Sequence, residues 1–452
     1  MPGRPAPPRC WPSCSSWWSW RSGTSRPASR QRRTVTRPRP DAPSDGPGGP
    51  TLLLLAGEAS GDHHGAYLAR ALRDRIPGAR LVGMGGERMA AEGVDLLAGL
   101  DDLAVMGFAE VAARLPYFLR LERRVRALLD TGTVDLVVPI DYPGFNLRIA
   151  AAAHERGIPV VYYIAPQVWA WKAHRTARLA QTADRVAVIL PFEADLFRAE
   201  GGDARYVGHP LLDDTGSPPD RATFAREAGV DPAREILAIF PGSRSQELRR
   251  HLDPFLEAAD RLARARPGIQ PVVARAQGLP VPLPENLPSG TRLTAVTDGR
   301  GLLAHARGAL VKSGTTTLEA ALAGVPFVVA YRTHPLTWRI ARRVVRVEHV
   351  ALANLVAGER VVPELLQGEV TGPGLADALL PLLEDGPERT AALAGLAGVR
   401  ARLGKPGAAG RVALLVEEVL LERGIPLRGR GGASAGAGRR SLPAARDLPS
   451  DG

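Results

Sequence analysis

From Thr51 onward, short apolar runs alternate with windows in which apolar residues recur at helical spacing. A sheet covered by helices on both faces buries its strands completely, so its strands read as unbroken apolar runs. The alternation therefore predicts successive parallel βαβ units. In the first half the runs predict strands at 51–56, 80–84, 136–140, 160–164 and 185–190, with a helix after the first strand that ends near Arg75. The pattern begins again near Asp231, with strands predicted at 236–240, 271–274, 292–295, 309–311 and 327–331. Asp, Gly, Ser and Pro cluster at 213–219, the signature of a linker. The expected architecture is α/β, with two doubly wound, Rossmann-like domains facing each other across a cleft. The first spans 51–215 and the second 216–426, the last helices being expected to pack back on the first. Residues 1–50 and 427–452 are expected to be disordered tails.

Composition supports that division. The chain has 452 residues, 45% of them hydrophobic, enough for two cores. Residues 1–50 and 427–452 together carry +10 of the total formal charge of +11. The folded middle is thus nearly neutral, and the basic balance does not predict a nucleic-acid partner. Cys10 and Cys14 both lie in the first tail, which leaves no disulfide framework or cysteine metal site for the core and fits a cytoplasmic chain. That tail has four Trp among Pro, Ser and Arg but no apolar run long enough for a signal peptide or a span. Residues 1–49 read either as part of the natural chain or as an extension upstream of its start.

Two turns in the second half carry candidate chemistry. The run 236–240 breaks into Pro241, Gly242, Ser243 and Arg244 and opens a polar helix. A strand that feeds a helix through a glycine turn aims backbone N–H groups and a positive dipole end at one spot, which suits a phosphate, and Arg244 adds a guanidinium fork. A second turn follows 309–311, with Ser313, Gly314, Thr315 and Thr316 supplying donors and Glu319 placed to accept from ribose hydroxyls. Each turn alone also reads as an ordinary helix cap; two in one sheet point to a diphosphate.

In the first half Asp141 stands at the carboxyl end of a buried strand, where α/β folds place working groups. It reads equally as a general base or a turn cap. Glu58, Ser60, Gly61 and Asp62 form the first loop, whose glycine spacing is not that of a dinucleotide site, and they read as substrate contacts. The aromatic block around Gln167 and Trp169 suits the wall of a sugar or lipid site, with core packing as the alternative for Trp169. Two Arg-rich amphipathic stretches, one with Met106, Phe108, Val111 and Phe118 and one around Trp338 to Arg346, fit either a membrane surface or a core-facing helix with a solvated Arg face. Adjacent His63 and His64 and the lone His209 do not make a metal site, so no metal or cofactor is expected.

Nine ordered blocks resemble the lipid-A-disaccharide synthase family, inverting glycosyltransferases of the GT-B fold. They are AGEASGD (from Ala56), LAVMGFAEV (from Leu103), IDYPGFN (from Ile140), APQVWAWK (from Ala165), LPFE (from Leu190), GHP (from Gly208), PGSR (from Pro241), SGTTTLE (from Ser313) and ANLVAG (from Ala353). The resemblance runs from about residue 51 to about residue 395. It implies that UDP-2,3-diacylglucosamine donates its sugar to 2,3-diacylglucosamine 1-phosphate, giving a β-1,6-linked disaccharide and UDP. Asp141 matches the family's base, Glu319 and Asn354 match positions near the nucleotide, and the stretch after Met106 matches the region that meets acyl chains or the membrane. Peripheral attachment to the cytoplasmic face of the inner membrane, and a homodimer formed through C-terminal elements, are also implied. The chain departs from the pattern at Gly144, where members often carry a second Asp, and at Arg307 to Ala309, which replace Ser-Asp-Ala. A UDP-N-acetylglucosamine 2-epimerase and a non-catalytic nucleotide- or lipid-binding protein are the competing readings.

Overall fold

The computed structural model describes residues 48–427, except 101–107, 167–172, 215, 277, 278, 280, 282, 336 and 340–347, and gives the backbone alone at 108–115, 173 and 174. The expectations for the two tails and for much of the second basic stretch lie outside the described residues.

The first half runs β1 (Thr51–Ala56), α1 (Ala59–Arg75), β2 (Arg80–Gly85), α2 (Glu87–Ala91), β3 (Asp95–Gly99), α3 (Phe108–Asp130), β4 (Leu136–Ile140), α4 (Pro143–Glu155), β5 (Val161–Tyr163), α5 (Ala173–Thr182), β6 (Arg185–Val188), α6 (Glu193–Ala199) and β7 (Ala204–Tyr206). Its seven strands pair in parallel in the order β3-β2-β1-β4-β5-β6-β7. A 3₁₀ turn, Pro210–Leu212, and α7 (Arg221–Ala228) lead to the second half. This contains β8 (Glu235–Phe240), α8 (Ser245–Ala265), β9 (Ile269–Ala274), β10 (Thr294–Val296), α9 (Gly299–His305), β11 (Ala306–Lys312), α10 (Thr316–Leu322), β12 (Phe327–Tyr331), α11 (Leu352–Ala357) and β13 (Glu364–Leu366). The chain closes with α12 (Gly372–Leu383), α13 (Pro387–Leu403) and α14 (Ala408–Glu422). The second sheet is also parallel, in the order β10-β9-β8-β11-β12-β13.

The apolar runs do the work expected of strands buried on both faces. In β1, Leu53 and Leu55 enter one core while Leu52 and Leu54 enter the core on the opposite face. β8 repeats the device, sending Ile236 and Ala238 to one side and Leu237 and Ile239 to the other. Three strands were not predicted: β3, β7 and β13. All three are sheet edges. An edge strand has one partner and needs no long apolar run, so DLLAG, ARY and ELL carry little signal.

The last helix crosses back. Val412, Val416, Val419 and Leu420 of α14 are fully buried in the core they share with α1 and the first sheet. Its first turn is held by Asp213, whose carboxylate accepts from the N–H groups of Gly407 (2.6 Å), Ala408 (3.0 Å) and Ala409 (2.9 Å). That satisfies donors a helix start leaves orphaned and sets a negative charge against the dipole. In the other direction Leu190, just past β6, packs into the core of the second sheet.

Candidate active site

β4 ends in an unusual turn. Asp141 and Tyr142, consecutive non-glycine residues, both occupy the left-handed region, at φ 46° and 47°. Such conformations cost roughly 1–3 kcal/mol each and persist only where the surroundings over-determine them. Here they do. The Asp141 N–H donates to the Tyr163 carbonyl at 3.0 Å, and its carbonyl accepts from the Tyr162 hydroxyl and the Asn146 side-chain amide, each at 2.8 Å. Asn146 is fully buried and also donates to the carbonyl of Leu55 at 3.0 Å. The turn is thereby tied to β1 and β5 as well as β4.

Burial, and then the charge of Glu58, push the Asp141 carboxyl up from 3.8 to about 6, against a weaker backbone hydrogen bond from Tyr142. A carboxylate with that affinity for a proton is a better general base than an exposed one, and it is still ionised near neutral pH. The Tyr142 ring lies directly on Gly57, where a Cβ would fall 2.3 Å from the ring. No side chain larger than hydrogen fits there, so the loop after β1 and the turn after β4 are locked together.

Ser60, Gly61 and Asp62, expected in a loop, form the first turn of α1, which begins at Ala59; Glu58 and Ser60 are exposed. Glu58 occupies the N-cap position of α1 without using its side chain to cap it. Gly61 is buried against Ala56. Asp62 is also buried, and its carboxylate accepts from the N–H groups of Gly86 (2.7 Å), Met89 (3.0 Å) and Arg88 (3.3 Å). It is spent on the start of α2. Of these four expected substrate contacts, Glu58 and Ser60 are presented outward.

In the second half β8 and β11 are neighbours, with Phe240 opposite Val311, so the turns that follow them emerge side by side. Gly242 has φ 120°, a conformation that suits glycine. The Arg244 side chain is 71% exposed, and its nearest carboxylate is Glu247 at 3.9 Å. Ser243 donates its N–H to Glu247 Oε2 at 2.9 Å, and Lys312 Nζ donates to Glu247 Oε1 at 2.7 Å. His251 joins the same group: its Nε2 accepts from the Arg332 N–H at 2.9 Å, which leaves Nδ1 to donate to the Glu247 carbonyl at 2.8 Å. Burial holds this imidazole below its usual range, in keeping with a neutral ring.

Ser313 is buried and donates its hydroxyl to the Val350 carbonyl at 2.9 Å. Gly314 follows at φ 159°, Thr315 is exposed and Thr316 half-buried. Burial raises the Glu319 carboxyl, against a hydrogen bond from Thr316. Asn354 has no exposure: it donates to the Val362 carbonyl (3.0 Å) and Glu364 Oε1 (2.7 Å) and accepts from the N–H groups of Val361 (2.9 Å) and Val362 (3.0 Å). Glu364 also accepts from the N–H groups of Val350 and Ala351. Asn354 therefore builds the loop on which Ser313 rests.

Sequence reasoning missed Glu247, Lys312 and Glu364. Lys312 had a signal, since lysine occurs at just three positions in a chain dominated by arginine and this one ends a central strand. Met106, Gln167 and Trp169 lie outside the described residues. Phe108 and Val111 belong to α3 by backbone alone. Phe118, farther along α3, is half-buried against the first-half core, while Leu119 beside it is 48% exposed. Two open cavities of about 780 and 910 Å³ flank β13, but neither is lined by Asp141, Arg244 or Lys312.

Comparison with known proteins gives this arrangement a family. The family model for lipid-A-disaccharide synthetase matches residues 52–402. The chain belongs to the lipid-A-disaccharide synthase family. It is 40% identical over 389 residues to the synthase of Acidobacterium capsulatum, covering 83% of this chain and 97% of that one. It is 41% identical over 374 residues to the synthase of Myxococcus xanthus, covering 82% and 98%. Among solved structures, the fold is similar to that of a kitacinnamycin glycosyltransferase (TM-score 0.55, 18% identity, 82% of this chain and 99% of that one). It is likewise similar to UDP-GlcNAc 2-epimerase from Neisseria meningitidis (TM-score 0.55, 13% identity, 82% and 100%). The two Rossmann-like sheets of this lipid-A-disaccharide synthase family member are those of a GT-B fold, and the chain is a glycosyltransferase of lipid A biosynthesis.

Proposed function

We propose that the protein transfers 2,3-diacylglucosamine from its UDP donor to the 6-hydroxyl of 2,3-diacylglucosamine 1-phosphate, with inversion, forming the β-1,6-linked disaccharide 1-phosphate and UDP. The observation that carries this reading is the Asp141 carboxyl, held in an over-determined turn and raised to about 6. In this mechanism Asp141 accepts the proton of the acceptor hydroxyl as the oxygen attacks the anomeric carbon from the face opposite UDP. The anomeric carbon–oxygen bond breaks, and its electron pair leaves with the diphosphate. General-base assistance of this kind is worth about 10²–10⁴ in rate.

Gly242, Ser243 and Arg244 would meet the departing diphosphate, with Ser313, Gly314, Thr315 and Thr316 on the neighbouring strand end. Glu319, raised by burial, would accept from ribose hydroxyls. Glu58 and Ser60 would face the sugars, with Gly61 buried beneath them. Residues 51–215 would form the acceptor-side domain and 216–426 the nucleotide-side domain, facing across the cleft, with the last helix of the second packed back on the first. Among the described residues no helix is long and apolar enough to cross a membrane. Contact with the cytoplasmic face of the inner membrane would be peripheral, through the α3 region, with two copies of the chain associating.

The test is incubation of the purified protein with UDP-2,3-diacylglucosamine and 2,3-diacylglucosamine 1-phosphate, followed by detection of UDP and disaccharide. Folded protein that makes no disaccharide overturns the proposal. Interconversion of UDP-N-acetylglucosamine with its 2-epimer would favour the epimerase reading instead.

A further inference from the structure

The Glu247 carboxylate sits where the diphosphate reading puts an anion. Its two oxygens take the Ser243 N–H at 2.9 Å and Lys312 Nζ at 2.7 Å, with the Arg244 guanidinium 3.9 Å away. A backbone N–H at a glycine turn, an ammonium and a guanidinium are also the donors that a phosphate oxygen takes. The turn is shaped around this side chain. A Cβ on Gly242 would lie 2.5 Å from Glu247 Cβ and 2.6 Å from Oε2, and a Cβ on Gly314 would lie 3.7 Å from Lys312 Nζ. Lys312 thus bridges the two turns that follow β8 and β11.

A glutamate at the third position of a helix commonly reaches back to cap the start of its own helix. One Glu247 oxygen reaches back past the N-cap residue Arg244 to the N–H of Ser243, a related local contact. The other oxygen goes to a lysine 65 residues away, on a different strand, which such a contact does not require. Both side chains are mostly covered, at 15% and 19% exposure, so the pair is a desolvated contact between elements.

We propose that Glu247 and the nucleoside diphosphate compete for the Ser243 N–H and Lys312, so that Lys312 is a second cation of the diphosphate site and Glu247 the internal anion it exchanges for the ligand. The inference rests on the diphosphate reading above and adds two residues to it. Ligand binding moves the ammonium from carboxylate to phosphate without exposing it, and loss of UDP returns it. Glu247 in this account weakens nucleotide binding and eases release of the product.

The experiment is calorimetric titration of UDP into the wild type, Glu247→Gln, Lys312→Met and the double variant, with thermal unfolding of each. Lys312→Met is expected to weaken UDP binding about tenfold or more. Glu247→Gln is expected to tighten it several-fold while lowering the melting temperature, because the contact to Ser243 is weakened as the competitor is removed. In the Lys312→Met background that gain should shrink. Lys312→Gln, which keeps a donor toward Glu247, is the second lysine variant and should also weaken binding. A purely structural Glu247 would lose stability and UDP affinity together, and that result overturns the proposal, as does a lysine variant that binds UDP like the wild type. If the wild type itself binds no UDP, the diphosphate reading fails and takes this inference with it. Normal wild-type binding and turnover with unmoved variants defeats the inference alone.

Discussion

The hydroxyl of Tyr162, on β5, donates to the main-chain carbonyl of Asp141 at 2.8 Å. This bond reaches across the sheet to a turn whose two lead residues are both left-handed. Tyr162→Phe removes it and leaves the carbonyl with the Asn146 amide. The expected loss of stability is about 1 kcal/mol. The larger effect should be on the aim of the Asp141 side chain, which shows as a fall in kcat with little change in KM for the nucleotide sugar. Steady-state kinetics and thermal unfolding of the one variant test both. An unchanged kcat would reduce the phenol to a packing group.

Asp141 links activity to pH with a definite sign. Its carboxyl is raised from 3.8 to about 6, first by burial and then by Glu58. The rate should climb as pH rises through about 6 and then level off, and Glu58→Gln should move that limb to lower pH. Stability runs the other way. Below 3.8 the group is neutral in both states; between 3.8 and about 6 the unfolded chain ionises first, so the fold loses about 3 kcal/mol as pH rises. Asp141→Asn should therefore abolish turnover, retain UDP binding and raise the melting temperature at neutral pH but not in acid. A variant less stable than wild type at neutral pH would contradict the burial penalty.

Why so much of this was readable, and where it stopped, follows from the range of the interactions. β1, β4, β8 and β11 are buried on both faces, and a central parallel strand has to be apolar over the stretch it buries. β3, β7 and β13 sit at edges and escape that demand. The turns that follow β4, β8 and β11 were legible because glycine, proline and hydroxyl residues are adjacent in the chain. Partnerships between distant segments were not. Nothing local distinguishes Asp62, which caps α2, from an outward-facing acid, or Asn354, buried against Glu364, from a ligand contact. Glu247 and Lys312 meet only because β8 and β11 are neighbours in the sheet.

Arg244 separates ligand binding from folding. Its side chain is 71% exposed and its carboxylate neighbour is 3.9 Å away, so truncation should cost the fold little. If it holds a diphosphate oxygen, Arg244→Ala forfeits a charge-assisted hydrogen bond worth about 1.5–3 kcal/mol, roughly ten- to a hundredfold in UDP affinity. Calorimetry beside a melting curve distinguishes the two. Unaltered affinity would remove Arg244 from the site.

Asp213 and Leu420 test the return of the last helix from opposite ends. Asp213 receives three N–H groups at the start of α14, and Leu420 is fully buried near its other end. Asp213→Ala should cost about 1–2 kcal/mol as a lost cap, and Leu420→Ala about 2–5 kcal/mol as a core truncation. The two should differ in kind as well as size. Losing the cap releases the first turn, so the amides near Ala408 should exchange with solvent faster while those near Leu420 stay protected. Losing the leucine weakens the seam between α14 and α1, and protection should fall along both helices because they share one core. Hydrogen exchange resolved by segment reads these patterns directly. If Leu420→Ala leaves α1 as protected as before, α14 is a cover laid on the first sheet and contributes little to its stability.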